Sequence, residues 1–532
     1  MARRGADILV ETLAAAGIRR IFSLSGNQIM PVYDACLDAG IEIVHTRHEN
    51  ACVFMAEAWA QLTGEVGVAL VTAAPGFANA AGAVYSARCS ESPVLLLSGD
   101  SPLDQDGCGA FQELDQCAVA APLVKATARP ASTAALAEAV MTALQTAASG
   151  RPGPVHLALA ADVLTAPAEG LVTAPGGASA GTPPTDDALD DLRDRLAAAE
   201  RPAILTGPAL NRTRAGALLR DLEDATGAAV LPLESPRGLK DPALGDLATA
   251  LREADLIVSL GKQIDFTLAF GAEDRVAPGC PFVVVDAEQA ALDRASRNLG
   301  ARLALALDAD PRATAHALTR DRLRDTREAW RHRVAEATAA RAARPGGPGI
   351  TPDLLCDAVQ RRISAAPASV TICDGGEFGQ WAQALTWADA RVINGPSGAI
   401  GGGLPQAVAA ALARPDATVF ALMGDGTAGF HLPEFETAVR AGARFVAVIG
   451  NDRVWNAEHQ IQLRDYGPDR LIGCDLSGAR YDLAAAALGA HGEYVTRPEE
   501  LDAALDRALA SGGPACVNVE LEGLPAPAGP GH

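Results

Sequence analysis

The stretch Thr418–Asp452, TVFALMGDGTAGFHLPEFETAVRAGARFVAVIGND, decides how the chain is read. A continuous apolar run ends in Gly424-Asp425-Gly426, a helical pattern follows, and a second apolar run ends in Asn451-Asp452. Apolar strands separated by one helix signal a parallel sheet buried on both faces. Successive strands of such a sheet end side by side at the edge where ligands bind, so Asp425 and Asp452 arrive there together. Two oxygen ligands suit a hard cation such as Mg2+, which usually shares phosphate oxygens. Gly424 and Gly426 let backbone amides approach a phosphate, and the following helix presents its positive N-terminus. A lone GDG is most often a tight turn. The whole strand–GDG–helix–strand–ND unit is far more specific.

The same alternation runs outward along the chain. IEIVHTR, VGVALVTAA and PVLLLSG are strands of a first part, with a helical ENACVFMAEAWAQLTG between the first two. PAILTG, AAVLPLE, DLIVSLG, PFVVVDAE and ARLALAL belong to a second part, and SVTICDGG and PACVNVEL complete the third. Two Pro/Gly-rich stretches read as linkers, residues 165–187 and 344–352, the second following a long Arg/Ala/Glu helix from about Pro311. The expected fold is α/β with three doubly wound parallel-sheet domains at residues 1–168, 188–343 and 350–532.

Composition excludes other classes. The 532 residues, at roughly 150 per domain, allow three or four domains. A hydrophobic fraction of 49% with 20% charged residues is globular, not disordered or fibrous. A net charge of −21 argues against nucleic acid or membrane surfaces as partners. The ten cysteines are scattered, without C-x-x-C, as expected of thiols in a reducing cytosol. Asp7 and Glu11 interrupt the first apolar run, so it does not read as a signal peptide, and no uncharged run approaches the ~18–20 residues of a membrane span. A cytoplasmic protein is the expectation. A G-x-G-x-x-G between a first strand and helix, which a plain NAD-binding oxidoreductase needs, is missing.

The Thr418–Asp452 unit resembles the cofactor motif of thiamine diphosphate enzymes, a GDG followed some two dozen residues later by an Asn pair. That resemblance implies thiamine diphosphate and Mg2+ as cofactors, the metal held by Asp425, Asp452 and the carbonyl of Val454. Position 452 is Asp where the common pattern has Asn, and a one-residue shift would make Asn451 the ligand instead. Ser397-Gly398-Ala399-Ile400 resembles the loop beneath the cofactor, where Ser397 and Ala399 would make contacts and Ile400 would wedge the cofactor into its bent shape. Gly375, Gly376 and Thr427 would join Gly424 and Gly426 around the diphosphate.

In the first part, Arg47-His48-Glu49 resembles the RHE segment of the acetolactate synthase superfamily. Read alone, Glu49 is an ordinary acid in a first helical turn. Beside the diphosphate motif it is the implied catalytic acid. A carboxyl group bonded to the pyrimidine ring favours the imino tautomer, which can deprotonate the thiazolium carbon to an ylid that attacks a 2-keto group. Gly26 and Asn27, with the later P-V-Y-D, and Pro75, Gly76 and Asn79 of APGFAN resemble further cofactor-contacting turns. GAFQELDQ resembles a substrate-side loop, which implies roles for Phe111, Gln112 and, further on, Lys125; Phe77 is a weaker substrate candidate.

The resemblance implies a lyase or carboligase acting on a small 2-keto acid through ylid and enamine intermediates. It also implies a homodimer or dimer of dimers, since Glu49 and Asp425 lie in different domains. The Trp that selects the second keto acid in acetolactate synthases is absent; Ile461 stands there, with Glu458 and His459 beside it. APGF-x-N and QELDQ sit nearer the hydroxyacyl-CoA lyase and oxalyl-CoA decarboxylase branch, the alternative reading. A non-catalytic paralogue is a third, against which Glu49 argues. In this superfamily the central domain carries FAD or ADP, and nothing in this sequence chooses between them and a structural role.

Overall fold

Parallel pairing runs through all three sheets of the computed structural model, which describes residues 3–169, 181–323, 327–341, 344 and 346–527. The first sheet contains β1 (Arg20–Ser23), β2 (Glu42–His45), β3 (Gly67–Val71), β4 (Val94–Asp100), β5 (Thr127–Ala128) and β6 (Val155–Ala160), in the order β2-β1-β3-β4-β6-β5. The middle sheet contains β7 (Pro202–Thr206), β8 (Ala229–Pro232), β9 (Leu256–Leu260), β10 (Phe282–Asp286) and β11 (Leu303–Asp308), in the order β11-β10-β9-β7-β8. The third contains β12 (Ser369–Cys373), β13 (Ala390–Ile393), β14 (Thr418–Gly424), β15 (Val446–Asn451), β16 (His491–Val495) and β17 (Ala515–Glu520), in the order β13-β12-β14-β15-β17-β16. The first and third sheets therefore share one strand order. The chain is three α/β domains, the first and third built on sheets of the same topology.

Every strand read from the sequence is present. Those not singled out, β1, β5, β6, β13 and β16, are mostly short or edge strands, where the apolar run is brief. Two helical expectations are corrected. The helix from Pro311 ends at Leu318 and a second runs Glu328–Ala339; between them the Leu323 amide donates to Ala225 O at 2.8 Å, folding the chain onto the middle domain. After Gly424 the helix is broken into Asp425–Ala428 and Glu434–Ala441, with Gly429 and Pro433 in the interruption. Residues 170–180 of the first linker and 345 of the second lie outside the described residues, as do the last residues of the expected middle and third domains, 342–343 and 528–532.

The first and third domains share one apolar core. The Glu49–Thr63 helix packs on the Gly403–Ala413 helix, with Val53, Phe54 and Met55 in one cluster with Leu404, Ala407 and Val408. A Cβ on Gly402 would sit 3.0 Å from the Phe54 ring, so the absence of a side chain there sets how closely the helices approach. Charged groups tie in the middle domain. Arg151, almost wholly buried, pairs with Glu91 of its own domain and with Asp286 at the end of β10. Arg391 of β13 pairs with Glu234 at 2.8 Å.

Candidate active site

At the carboxyl end of the first sheet, β2 runs through Thr46–His48 into the helix that begins at Glu49. His48 caps this helix, its Nδ1 accepting from Asn50 N at 3.1 Å, which leaves the Glu49 carboxylate free of capping duty. Asn79 Nδ2 donates to Glu49 Oε2 at 3.0 Å instead. Asn79 sits on the Pro75–Cys89 helix, entered through Ala74 at φ +37°. A non-glycine residue there stores backbone strain, as recurs at functional turns. Gly76 lies beneath Glu49: a Cβ on it would be 3.5 Å from Glu49 Oε1 and 2.8 Å from Thr72 Cγ2. A Cβ on Gly26 would meet Thr72 Cβ at 2.2 Å.

Thr72, just past β3, therefore requires both glycines, and the sequence reading missed it. Its hydroxyl donates to Gln28 Oε1 at 2.7 Å, and Gln28 Nε2 donates to Gln112 Oε1 at 2.9 Å. This relay anchors the Gly109–Gln116 loop, in which Gln112 has φ +58°. The loop is also held by Glu113, whose carboxylate accepts from the amides of Gly107, Gly109 and Ala110 at 2.5, 2.9 and 3.0 Å. Asn27 is exposed beside this group, as is Phe111 at 72%.

Two expected site residues are not brought here. Phe77 is 1% exposed and packs on His156, ring centroids 4.8 Å apart, because its side of the helix faces the sheet. Lys125 lies at the opposite, amino end of the sheet, where its amide donates to Pro154 O at 2.8 Å just before β6. Its ammonium donates to Thr146 O and to Ser149 O, the latter at 2.6 Å, capping the Thr133–Ala148 helix. Burial lowers its pKa to about 8.

At the carboxyl end of the third sheet, the Asp374 carboxylate gathers the glycine loops. It accepts from Gly375 N at 2.6 Å, Gly401 N at 3.1 Å and Gly403 N at 2.6 Å. Burial pushes this carboxyl up to about 6. Asp374 closes the strand SVTICDGG just before Gly375 and Gly376, and the gathering role of its side chain is visible only in the fold. The loop it holds carries Ser397, whose Oγ accepts from Ala399 N at 3.1 Å, and Ile400, which lies over Gly375: a Cβ there would be 2.2 Å from Ile400 Cγ2. Gly376 has φ +83°, and Thr427 Oγ1 donates to Gly375 O at 3.4 Å.

The β14–β15 register pairs Gly424 with Gly450, so the next residues emerge together. Asp425 is 2% exposed and accepts from Gly426 N at 2.9 Å and Arg453 N at 3.1 Å. Asp452 accepts from Asn456 Nδ2 at 2.8 Å and Val454 N at 3.3 Å. Burial, and after it the charge of Asp452, holds the Asp425 carboxyl at about 7; burial raises Asp452 to about 6. Two acids desolvated together are poised for a cation, which would relieve both costs. Asn451 faces away. Its Nδ2 donates to Ala479 O and Asn518 Oδ1, each at 3.1 Å, because side chains alternate along a strand. Val454 is fixed between two backbone bonds to the segment after the next helix, Trp455 N to Cys474 O and Leu476 N to Arg453 O, both 2.7 Å. Among the described residues no three His, Cys, Asp or Glu side chains gather as a metal set, so further ligands would be carbonyls, phosphate or water.

Glu458, His459 and Ile461 lie on the Asn456–Tyr466 helix that leads from this edge; Ile461 is 45% exposed. Glu377 joins them. Burial raises its pKa, the Asp452 and Glu458 charges add to this, and its Oε2 accepts from Ala526 N at 2.9 Å.

Comparison with known proteins agrees with this geometry. The family model described as thiamine pyrophosphate enzyme, N-terminal TPP binding domain, matches residues 3–119, and its C-terminal TPP binding counterpart matches 374–519. A probable acetolactate synthase of Mycobacterium bovis (strain ATCC BAA-935 / AF2122/97) is 34% identical over 96% of this chain and 94% of its own length. The chain belongs to the thiamine pyrophosphate enzyme family.

Within that family its relatives are of two kinds. Human 2-hydroxyacyl-CoA lyase 2 is 30% identical over 94% of this chain and 86% of its own length. The acetolactate synthase isozyme 2 large subunit of Escherichia coli (strain K12) is 28% identical over 98% and 96%. This thiamine pyrophosphate enzyme is thus acetolactate synthase-like, with the hydroxyacyl-CoA lyase branch among its relatives. No helix among its described residues is long and apolar enough to cross a membrane.

Proposed function

We propose that this enzyme is a lyase or carboligase that uses thiamine diphosphate and Mg2+ on a small 2-keto acid. The paired acids Asp425 and Asp452 at adjoining strand ends carry this reading, because two desolvated carboxylates there would fit a hard divalent cation of the kind used with phosphates. Asp425, Asp452 and the Val454 carbonyl hold the metal. The amides around Gly375, Gly376, Gly424 and Gly426, with Thr427, receive the diphosphate, and Ser397, Ala399 and Ile400 support the cofactor from below. Gly26, Asn27, Pro75, Gly76 and Asn79 surround its pyrimidine ring. Bound thiamine diphosphate supplies a carbon acid and an electron sink for breaking or making the bond next to a carbonyl. Glu49 would hold the proton offered to the pyrimidine nitrogen, and Asn79 orients its carboxylate. Gln112 faces the substrate from its anchored loop, with Phe111, Glu458, His459 and Ile461 around the entrance.

The contacts of Glu49 lie within the first domain and those of Asp425 within the third. Inside one chain these domains meet through the Glu49–Thr63 and Gly403–Ala413 helices and through Arg47 N donating to Glu434 Oε1 at 2.9 Å, which supports a site closed by a second subunit. This reading takes the assembly as a homodimer or dimer of dimers in the cytoplasm, with domains at 1–168, 188–343 and 350–532. The relatives named 2-hydroxyacyl-CoA lyase support a second reading, in which the substrate is an acyl-CoA. The deciding experiment supplies the holoenzyme with pyruvate, longer 2-keto acids and 2-hydroxyacyl-CoA esters, and measures CO2, acetohydroxy acid and aldehyde. Product only from the CoA ester would replace the first reading with the second.

A further inference from the structure

The backbone that leads into Glu49 is held from another domain. β2 is an edge strand of the first sheet and pairs only with β1. Where the chain leaves it, Thr46 N turns inward to Ser23 O at 2.9 Å, so the polar groups of its neighbours His45 and Arg47 face the open edge. Buried backbone groups need partners, and at an edge strand the sheet does not provide them.

The third domain provides them. Glu434 Oε1 accepts from Arg47 N at 2.9 Å, and the His45 carbonyl accepts from Arg440 and, at 3.5 Å, from Thr437 Oγ1. Glu434, Thr437 and Arg440 recur every three residues, which places them along one face of the Glu434–Ala441 helix. Glu434 is 1% exposed, and burial pushes its carboxyl up to about 7. Glu436 of the same helix pairs with Arg440 at 3.1 Å and approaches Arg47 at 3.8 Å. Just before the helix, His431 packs on His48 with ring centroids 5.6 Å apart, and its Nδ1 donates to Gly401 O at 2.6 Å in the loop gathered by Asp374. These contacts reach the residues immediately ahead of Glu49. Its own carboxylate meets Asn79 within the first domain.

We propose that Glu434, with Arg440, is a positioning residue for Glu49: the third-domain helix fixes the backbone that carries the acid, and Asn79 then orients the carboxylate. The proposal rests on the reading of Glu49 as the acid of the reaction. Proton transfer demands close placement, and a shift of about 1 Å can cost on the order of 10²-fold in rate. Without Glu434, the Arg47 amide loses its acceptor two residues before Glu49.

The test uses the full-length holoenzyme and follows hydrogen–deuterium exchange at the reactive carbon of bound thiamine diphosphate, beside cofactor affinity and melting temperature. Glu434→Ala should slow exchange at least tenfold while cofactor affinity stays within threefold. Glu434→Gln keeps an oxygen acceptor for Arg47 N and should exchange within threefold of wild type. Arg440→Met, at an exposed position, should slow exchange at least threefold with an unchanged melting temperature. That arm decides the matter alone should Glu434→Ala not fold. Added to Glu49→Gln, Glu434→Ala should slow exchange less than threefold further, because both changes act through one carboxylate. Wild-type exchange in Arg440→Met and in folded Glu434→Ala, beside slow exchange in Glu49→Gln, would overturn the positioning role alone. So would full additivity of Glu434→Ala with Glu49→Gln, or a fall in melting temperature without slower exchange. Wild-type exchange in Glu49→Gln would overturn the reading of the acid, and the positioning role with it.

Discussion

Asn79 Nδ2 donates to Glu49 Oε2 at 3.0 Å, joining the first turn of one helix to the first turn of the next. The carboxylate is thereby oriented before anything binds. Glu49→Gln keeps the shape and removes the acid. It should retain thiamine diphosphate affinity within threefold while slowing hydrogen–deuterium exchange at the cofactor's reactive carbon by about 10²–10⁴-fold. Proton NMR of the exchange checks this, and wild-type exchange in the variant would remove Glu49 from the proton path.

Asp425 and Asp452 should make cofactor affinity depend on a divalent cation. Calorimetric titration of Asp425→Ala with thiamine diphosphate and Mg2+ should show affinity at least tenfold below wild type. Asp452→Asn keeps an oxygen ligand and should lose less. Asn451→Ala should leave the Mg2+ dependence intact but lower the melting temperature, since its amide ties Ala479 to Asn518.

Gly375 and Ile400 are matched by size. A Cβ at 375 would fall 2.2 Å from Ile400 Cγ2. Gly375→Ala should cost about 1–3 kcal/mol by overpacking and displace the loop beneath the cofactor. Gly375→Ala with Ile400→Ala should recover most of the stability but not the cofactor affinity. Thermal melts and titrations of the single and double variants separate the two effects.

Glu57 is fully buried in the Glu49–Thr63 helix, and burial lifts its pKa from 4.5 to about 7 despite hydrogen bonds that oppose the shift. A carboxyl with a raised folded pKa contributes stability that is present below the unfolded pKa and is lost as pH rises through the folded one. Ionising Glu57 should therefore cost stability as pH rises from about 4.5 to about 7, on the order of 3 kcal/mol in full. Glu57→Gln, a neutral isostere, should show a flatter melting temperature across this window and melt higher than wild type at pH 8. Parallel slopes for the two proteins would assign the dependence to another group.

Lys125 should prove structural. Lys125→Met removes the cap on the Thr133–Ala148 helix, and the melting temperature should fall while turnover stays within threefold. A hundredfold loss of turnover with unchanged stability would return it to the site.

The crowded turns and paired acids at the strand ends were legible because glycines and acids there leave a chemical signature. Gly26, Gly76, Gly375 and Asp425 fall where backbone approach or charge demands those residue types. The side-chain roles of Thr72 and Asp374 were not legible, because a threonine and an aspartate after a strand are ordinary in sequence. Only their neighbours reveal them: two glycines that clear the Thr72 side chain, and three amides that converge on Asp374. Phe77 and Lys125 failed for the complementary reason. Motif position does not state which side of a helix or which end of a sheet a side chain occupies.

Local order along the chain was enough to determine three parallel α/β domains, because the alternation of apolar strands with helices is written in consecutive residues. It also determined that Asp425 and position 452 reach one edge, since one helix plus one strand separates them. Tertiary structure alone decided that Asp452 and not Asn451 faces Asp425, through strand alternation and the Asn518 contact. It also decided that the first and third domains of one chain meet by helices, and that Glu434 and Arg440 reach Arg47 and His45. Those relations join residues far apart in sequence. They are set by packing between domains, which no local pattern records.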